Sequence, residues 1–229
     1  MTSKTFNDFT KQLSATSLQV LDKTISKSQY IPIDLSIHNS ELLQYDVSSS
    51  TSLEIYINSH IKKHKATVAY GGYLETRNIY NRSIHFNKQN KDTERNIHLG
   101  LDLWLAEHSP IFAPLEGTIH SFKNNTNYGD YGPTIILKHH INKVTFYTLY
   151  GHLSEASLIN LYVGKKINKR EQIATLGDAS VNGDYPPHLH FQIIKDIEGY
   201  YGDYPGVCNQ NNLEFYKQNC PDPNNLLKL

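Results

Sequence analysis

Apolar residues near the start of the chain recur at helical spacing. Phe6, Phe9, Leu13, Val20, Leu21 and Ile25 stand close to the three-to-four period of an amphipathic helix, which predicts a helix within residues 1 to about 28. Leu53, Ile57 and Ile61, four residues apart, predict a second helix, with Thr51 and Glu54 spaced as a capping box. The segment around Pro32 reads as loop. Gly71-Gly72 is a permissive pair that suits a break, so a boundary is placed near residue 70, with a helical segment over 1–70 and a second unit over 71–229.

Beyond that boundary the pattern changes to short β-rich runs between Gly, Asn, Asp and Pro. Gly117 to Phe122, Thr134 to His140, Val144 to Leu153, Gln172 to Gly177 and His188 to Ile194 all read as strands. Only Ile141-Asn142-Lys143 separates the second run from the third, which predicts an antiparallel hairpin. Residues 154 to 163 have room for one or two helical turns, and the last thirty-odd residues read as loops laid over the domain. The fold class expected is mainly β: an antiparallel sheet with an N-terminal α-helical segment.

Composition narrows the function. With 22 Lys and Arg against 22 Asp and Glu, the net charge is zero and nucleic acid is not an expected partner. The apolar runs are too short for a transmembrane helix. MTSKTFNDFT lacks the apolar stretch of a secretory signal, which places the chain in the cytoplasm unless it is exported by another route or belongs to a longer protein. Cys208 and Cys220 lack the close pairing of a structural zinc knuckle; one disulfide could close that loop, and in a reducing compartment two free thiols are the default. Oligomeric state is not legible.

The 12 histidines carry the chemistry. In HLHFQII, strand alternation sends Leu189, Phe191 and Ile193 to the core and His188, His190 and Gln192 to the other face. The two imidazoles, roughly 7 Å apart at Cα, can be two ligands, or one ligand and one base. In HLGLD, His98 and Asp102 would lie roughly 13 Å apart on a straight strand, so only a bend at Gly100 would let both reach one ion. His152 ends the run in which Val144, Phe146, Thr148 and Tyr150 share its face. Each piece alone reads more readily as a solvated or hydrogen-bonded histidine. Together they supply what a zinc hydrolase needs: three N or O ligands, an open position and a group to move protons.

The ordered set resembles the lysostaphin-like zinc metalloendopeptidases, many of which cut peptide cross-links in bacterial peptidoglycan. Their H-x-x-x-D and H-x-H signatures are similar to HLGLD at 98–102 and HLHF at 188–191, and YGHLS at 150–154 to their intermediate histidine motif; the likeness runs from about Tyr70 to Ile194 through SPIFAPLEGTI. The resemblance implies His98, Asp102 and His190 as Zn2+ ligands, His152 and His188 as catalytic groups, and a peptide or peptidoglycan substrate. Arg77 matches an arginine the family often places before the first motif. Val181 to Pro187 departs from the Ser-Thr-Gly-rich approach usual before H-x-H, so the wall near His188 is expected to differ. With no H-E-x-x-H glutamate present, histidine must move the protons. A non-catalytic binding or regulatory module on the same fold is the alternative; an iron oxygenase lacks its H-x-D pair and ranks last.

Overall fold

The computed structural model describes residues 2–14, 18–83 and 93–229. The first helix, α1 (Ser3–Leu13), is shorter than its apolar spacing predicts. Ser14 ends it, its hydroxyl donating to the carbonyls of Lys11 and Asn225. Residues 15–17 lie outside the described set, and Val20 and Leu21 are buried without being helical. The Val20 carbonyl accepts from Phe112 N–H at 2.8 Å, so an irregular segment of bends and a turn fills positions that a helix would also have filled. Phe6 and Phe9 of α1 pack edge-on against Phe146, ring centres 5.7 and 5.9 Å away.

Strand β1 (Tyr30–Pro32) precedes α2 (Ser50–Lys63). The cap of α2 is Ser49, which accepts from Ser52 N–H, and not the Thr51–Glu54 box that the spacing suggests. Leu53, Tyr56 and Ile57 bury the inner face of α2 against Ile33, Leu35 and Trp104. Then follow β2 (Val68–Gly71), β3 (Ile97–His98), β4 (Leu101–Trp104), β5 (Pro110–Phe112), β6 (Gly117–Asn125), β7 (Gly132–Ile141), β8 (Val144–Gly151), β9 (Lys166–Ile167), β10 (Gln172–Thr175) and β11 (His188–Ile194). The C-terminal stretch is not all loop: it holds β12 (Val207–Cys208), α3 (Leu213–Asn219) and α4 (Asn224–Leu227).

Eight strands form one sheet in the order β1-β2-β4-β11-β8-β7-β6-β9, antiparallel except for β1 with β2. The fold is therefore mainly β, with a helix at its N-terminal end. Residue 70 lies inside β2, which pairs with β4, so the sheet runs across the compositional change there. β10 pairs with β5 and β12 with β3 in two small ladders. The β7–β8 hairpin turns on Asn142 and Lys143 alone, with φ of 51° and 66°, the twisted two-residue turn that suits right-handed strands.

Strand β11 holds the centre. Leu189, Phe191 and Ile193 are fully buried in the main core, as their parity predicts. The opposite face is not solvated: loops and β12 cover it, leaving His188 5% and His190 2% exposed. Its register sets His190 against Asp102 on β4 and Gly151 on β8. Among the described residues no helix is long and apolar enough to cross a membrane.

Candidate metal centre

The chain turns sharply at Gly100, between β3 and β4, and that bend is what brings His98 back over Asp102. A Cβ on Gly100 would lie 2.5 Å from Cε1 and Nε2 of His190, so only glycine lets the strand pass under that ring. His98 Nε2 and His190 Nδ1 each stand 3.2 Å from Asp102 Oδ1 and 2.9 Å from one another. His188 Nε2 is 4.0 Å from the same carboxylate oxygen. The His152 ring lies against His188 at 4.2 Å between centres, and the far side of His188 stacks on Trp104 at 5.7 Å. All five residues singled out in the sequence thus meet in one place.

The outer nitrogens of these rings set their protons. His98 Nδ1 is 3.0 Å from Gly72 O, His152 Nδ1 is 2.8 Å from Asn182 O and His188 Nδ1 is 2.7 Å from Pro186 O. A carbonyl only accepts, so each Nδ1 carries the hydrogen and each Nε2 turns a lone pair inward. His190 is reversed: its Nε2 donates to Gln192 Oε1 at 2.9 Å, and its Nδ1 faces the centre. In the singly protonated form of His190 that Gln192 favours, His98 Nε2, His190 Nδ1 and Asp102 Oδ1 converge as three lone-pair donors. Three lone pairs at such distances repel unless a cation lies between them. Their spacing is close to the edge, roughly 3.3–3.4 Å, of a tetrahedron around an ion about 2.0–2.1 Å from each donor. The donor set fits a divalent metal held by two imidazoles and a carboxylate.

Electrostatics agree with that geometry. Burial alone would raise the Asp102 carboxyl, but His98 and Arg77 outweigh it and hold the group well below the usual carboxylate range, ionised. Arg77 Nη1 takes Asp102 Oδ2 at 2.6 Å and its Nε takes Glu75 Oε2 at 2.8 Å, leaving Oδ1 for the centre. Burial pushes His98 and His188 down to about 4, against the opposing pull of Asp102. Burial lowers His152 as well, with His188 and His190 adding to the effect. These three rings are neutral at pH 7. His152 sits at φ 61°, in the left-handed region that non-glycine residues seldom occupy. Its N–H bonds to Tyr131 O at 2.9 Å and its carbonyl accepts from Gly177 N–H at 3.0 Å.

Sequence reasoning left several contributors unassigned. Trp104 shares its strand parity with Asp102, a signal that was available. Glu75, Asn182 and the C-terminal Pro205 and Cys220 carry no local signal. A cavity of about 190 Å³ lies over the donors, walled partly by Leu35 and Leu53 from the N-terminal segment and by Tyr185 and Ile79. Cys208 and Cys220 are both free and buried.

Residues 96–202 match the family model of peptidase family M23, a span that contains all five of these residues. The matched span is a little under half of the chain, and it is this part that is similar to peptidase family M23. Among solved structures it is similar to the catalytic domain of the antimicrobial peptidase lysostaphin from Staphylococcus simulans, with 21% identity, 72% of this chain and 98% of that one covered, and a TM-score of 0.41. It is similar to a zinc-containing peptidase from Vibrio cholerae, with 24% identity, 43% of this chain and 27% of that one covered, and a TM-score of 0.35. The catalytic domain of the prophage-encoded M23 protein EnpA from Enterococcus faecalis, in a point-mutant form, is 21% identical over 50% of this chain and 77% of that one, with a TM-score of 0.37. No curated protein matches the chain significantly.

Proposed function

We propose that the chain is a zinc metalloendopeptidase that hydrolyses peptide bonds in peptidoglycan peptides, with His98, Asp102 and His190 as metal ligands and His152 and His188 as catalytic groups. The observation that carries the reading is the convergence of two imidazole nitrogens and a carboxylate oxygen beside two further neutral imidazoles. When bound, zinc supplies a Lewis acid and brings the pKa of a bound water to roughly 7. His152 Nε2 and His188 Nε2 are unprotonated and face inward, so either takes the proton of the attacking water and returns it to the leaving amine. The bonds from their Nδ1 atoms to Asn182 and Pro186 keep both rings aimed through that exchange. Arg77 keeps Asp102 ionised and turned toward the metal. The family supports the substrate class. The narrow cavity, about 190 Å³ against the roughly 300–1,000 Å³ of ordinary ligand pockets, suits small residues beside the scissile bond.

The test is to incubate zinc-loaded protein with purified peptidoglycan and with cross-bridge peptides, and to identify products by mass. His98→Ala, Asp102→Ala and His190→Ala should lose zinc. His152→Ala and His188→Ala should keep it while kcat falls by roughly 10² to 10⁴. Stoichiometric zinc in all three ligand variants overturns the ligand set, and an emptied His188→Ala beside a full His190→Ala reverses the roles within the pair. A fully loaded protein that cuts no peptide but binds a protein or glycan tightly is a binding module.

A further inference from the structure

The ligand imidazoles are not held alike. The outer nitrogen of His98 meets a backbone carbonyl, whose direction the chain fixes and whose only role is acceptor. The outer nitrogen of His190 meets a side-chain amide, at 2.9 Å from Gln192 Oε1. An amide can present either end. With its oxygen toward His190, the ring carries its proton on Nε2 and offers Nδ1 to the metal. With its NH2 group there instead, Nε2 would accept, the proton would move to Nδ1, and an N–H would point into the donor cluster. The Tyr131 hydroxyl, 3.4 Å from Nε2, is the other polar side chain near this nitrogen and can also serve either way.

What selects the oxygen is the C-terminal segment. Gln192 is fully buried, and its Nε2 donates to Pro205 O at 3.1 Å and to Cys220 Sγ at 3.2 Å. Pro205 O is acceptor only, so the NH2 group must face it and the oxygen must face His190. The same segment braces the other ligand: Leu99 N–H bonds to Gly206 O at 2.8 Å, and Val207 pairs with His98.

We infer that Gln192 is a positioning residue for the metal centre: aimed by Pro205 and Cys220, it holds His190 in the tautomer that presents Nδ1 to the ion. The inference rests on His190 being a ligand, as proposed above, and its measurements do not depend on turnover.

The experiment uses the whole chain. Zinc affinity is read by competition with a chromophoric chelator, and the His190 tautomer by ¹⁵N–¹H long-range NMR of the imidazole in the metal-free protein. Gln192→Leu, similar in size but without the amide, should bind zinc roughly 10- to 100-fold more weakly. Gln192→Glu should stay within about threefold of the parent, because the oxygen facing His190 accepts whether or not the carboxyl is protonated. A packing role alone gives the opposite order, since leucine suits a buried site better than a carboxylate. Parental affinity in Gln192→Leu overturns the inference. If that variant does not fold, the unmutated protein still decides: in the metal-free form, a singly protonated His190 with its proton on Nδ1 overturns the assignment, and one with it on Nε2 supports it. A parent that binds no zinc yet shows the Nε2 proton sinks the metal reading while leaving the positioning of His190 intact.

Discussion

Gly100→Ala should empty the proposed metal site by moving His190, which it does not adjoin in sequence. The new methyl would sit 2.5 Å from Cε1 and Nε2 of His190 and 3.0 Å from Phe191 O, against an ordinary contact of about 3.5 Å, so something must yield by roughly 1 Å. Neither backbone is free to do so, since Leu99 is bonded to Gly206 and His190 lies in register between Asp102 and Gly151. The ring itself is confined by His98 at 4.7 Å and Tyr131 at 5.1 Å between centres. Overpacking of this kind costs about 1–3 kcal/mol, which for a chain of this length lowers Tm by roughly 3–10 °C. A ring displaced by roughly 1 Å no longer reaches an ion that must lie about 2 Å from its nitrogen, so zinc affinity should fall by roughly 100-fold or more. The control is Gly117→Ala, whose methyl would crowd a different histidine, lying 2.9 Å from His139 Nδ1. That variant should lose stability and keep zinc. Chelator competition and a thermal melt on each variant give both readings, and the reasoning is refuted if Gly100→Ala binds zinc as tightly as its parent.

Two further outcomes follow from the buried charges. Arg77→Met strands Asp102 and Glu75 without their shared cation, at 1% and 17% side-chain exposure, and should cost about 3–5 kcal/mol of stability in the metal-free protein; a loss under about 1 kcal/mol by urea titration would discount the pair. His139, away from the metal centre, is fully buried between the Glu116 carbonyl and the Thr148 hydroxyl, and burial pushes it down to about 4. Its folded value lies below its unfolded one, so its contribution is complete above pH ~6.5 and is lost as pH falls toward 4, a change of roughly 3 kcal/mol. Urea midpoints across that range should fall less steeply in His139→Leu than in the parent, and parallel curves would refute the assignment.

How far the site could be read in advance depended on what kind of information each contact needed. Parity along β11 was enough to separate Leu189, Phe191 and Ile193 from His188, His190 and Gln192, because alternation is a local property of an extended chain. The proximity of His98 and Asp102 needed one further step, a bend at a glycine, and the reason for glycine there is a ring from a strand ninety residues on. Helical period failed over residues 18–25 because burial of Val20 and Leu21 is all that the spacing records, and an irregular segment buries them equally well. The C-terminal contribution was illegible for a stronger reason. Side-chain type says that an imidazole can ligate, but the nitrogen that ligates is decided by what meets the other one: the carbonyls of Gly72, Asn182 and Pro186, and an amide turned by Pro205 and Cys220. Carbonyls are present at every position, so no residue type marks the ones that matter. Motif spacing therefore reports the first ring of donors and is silent on the second, although the second ring is what turns His98 Nε2 and His190 Nδ1 toward Asp102 Oδ1.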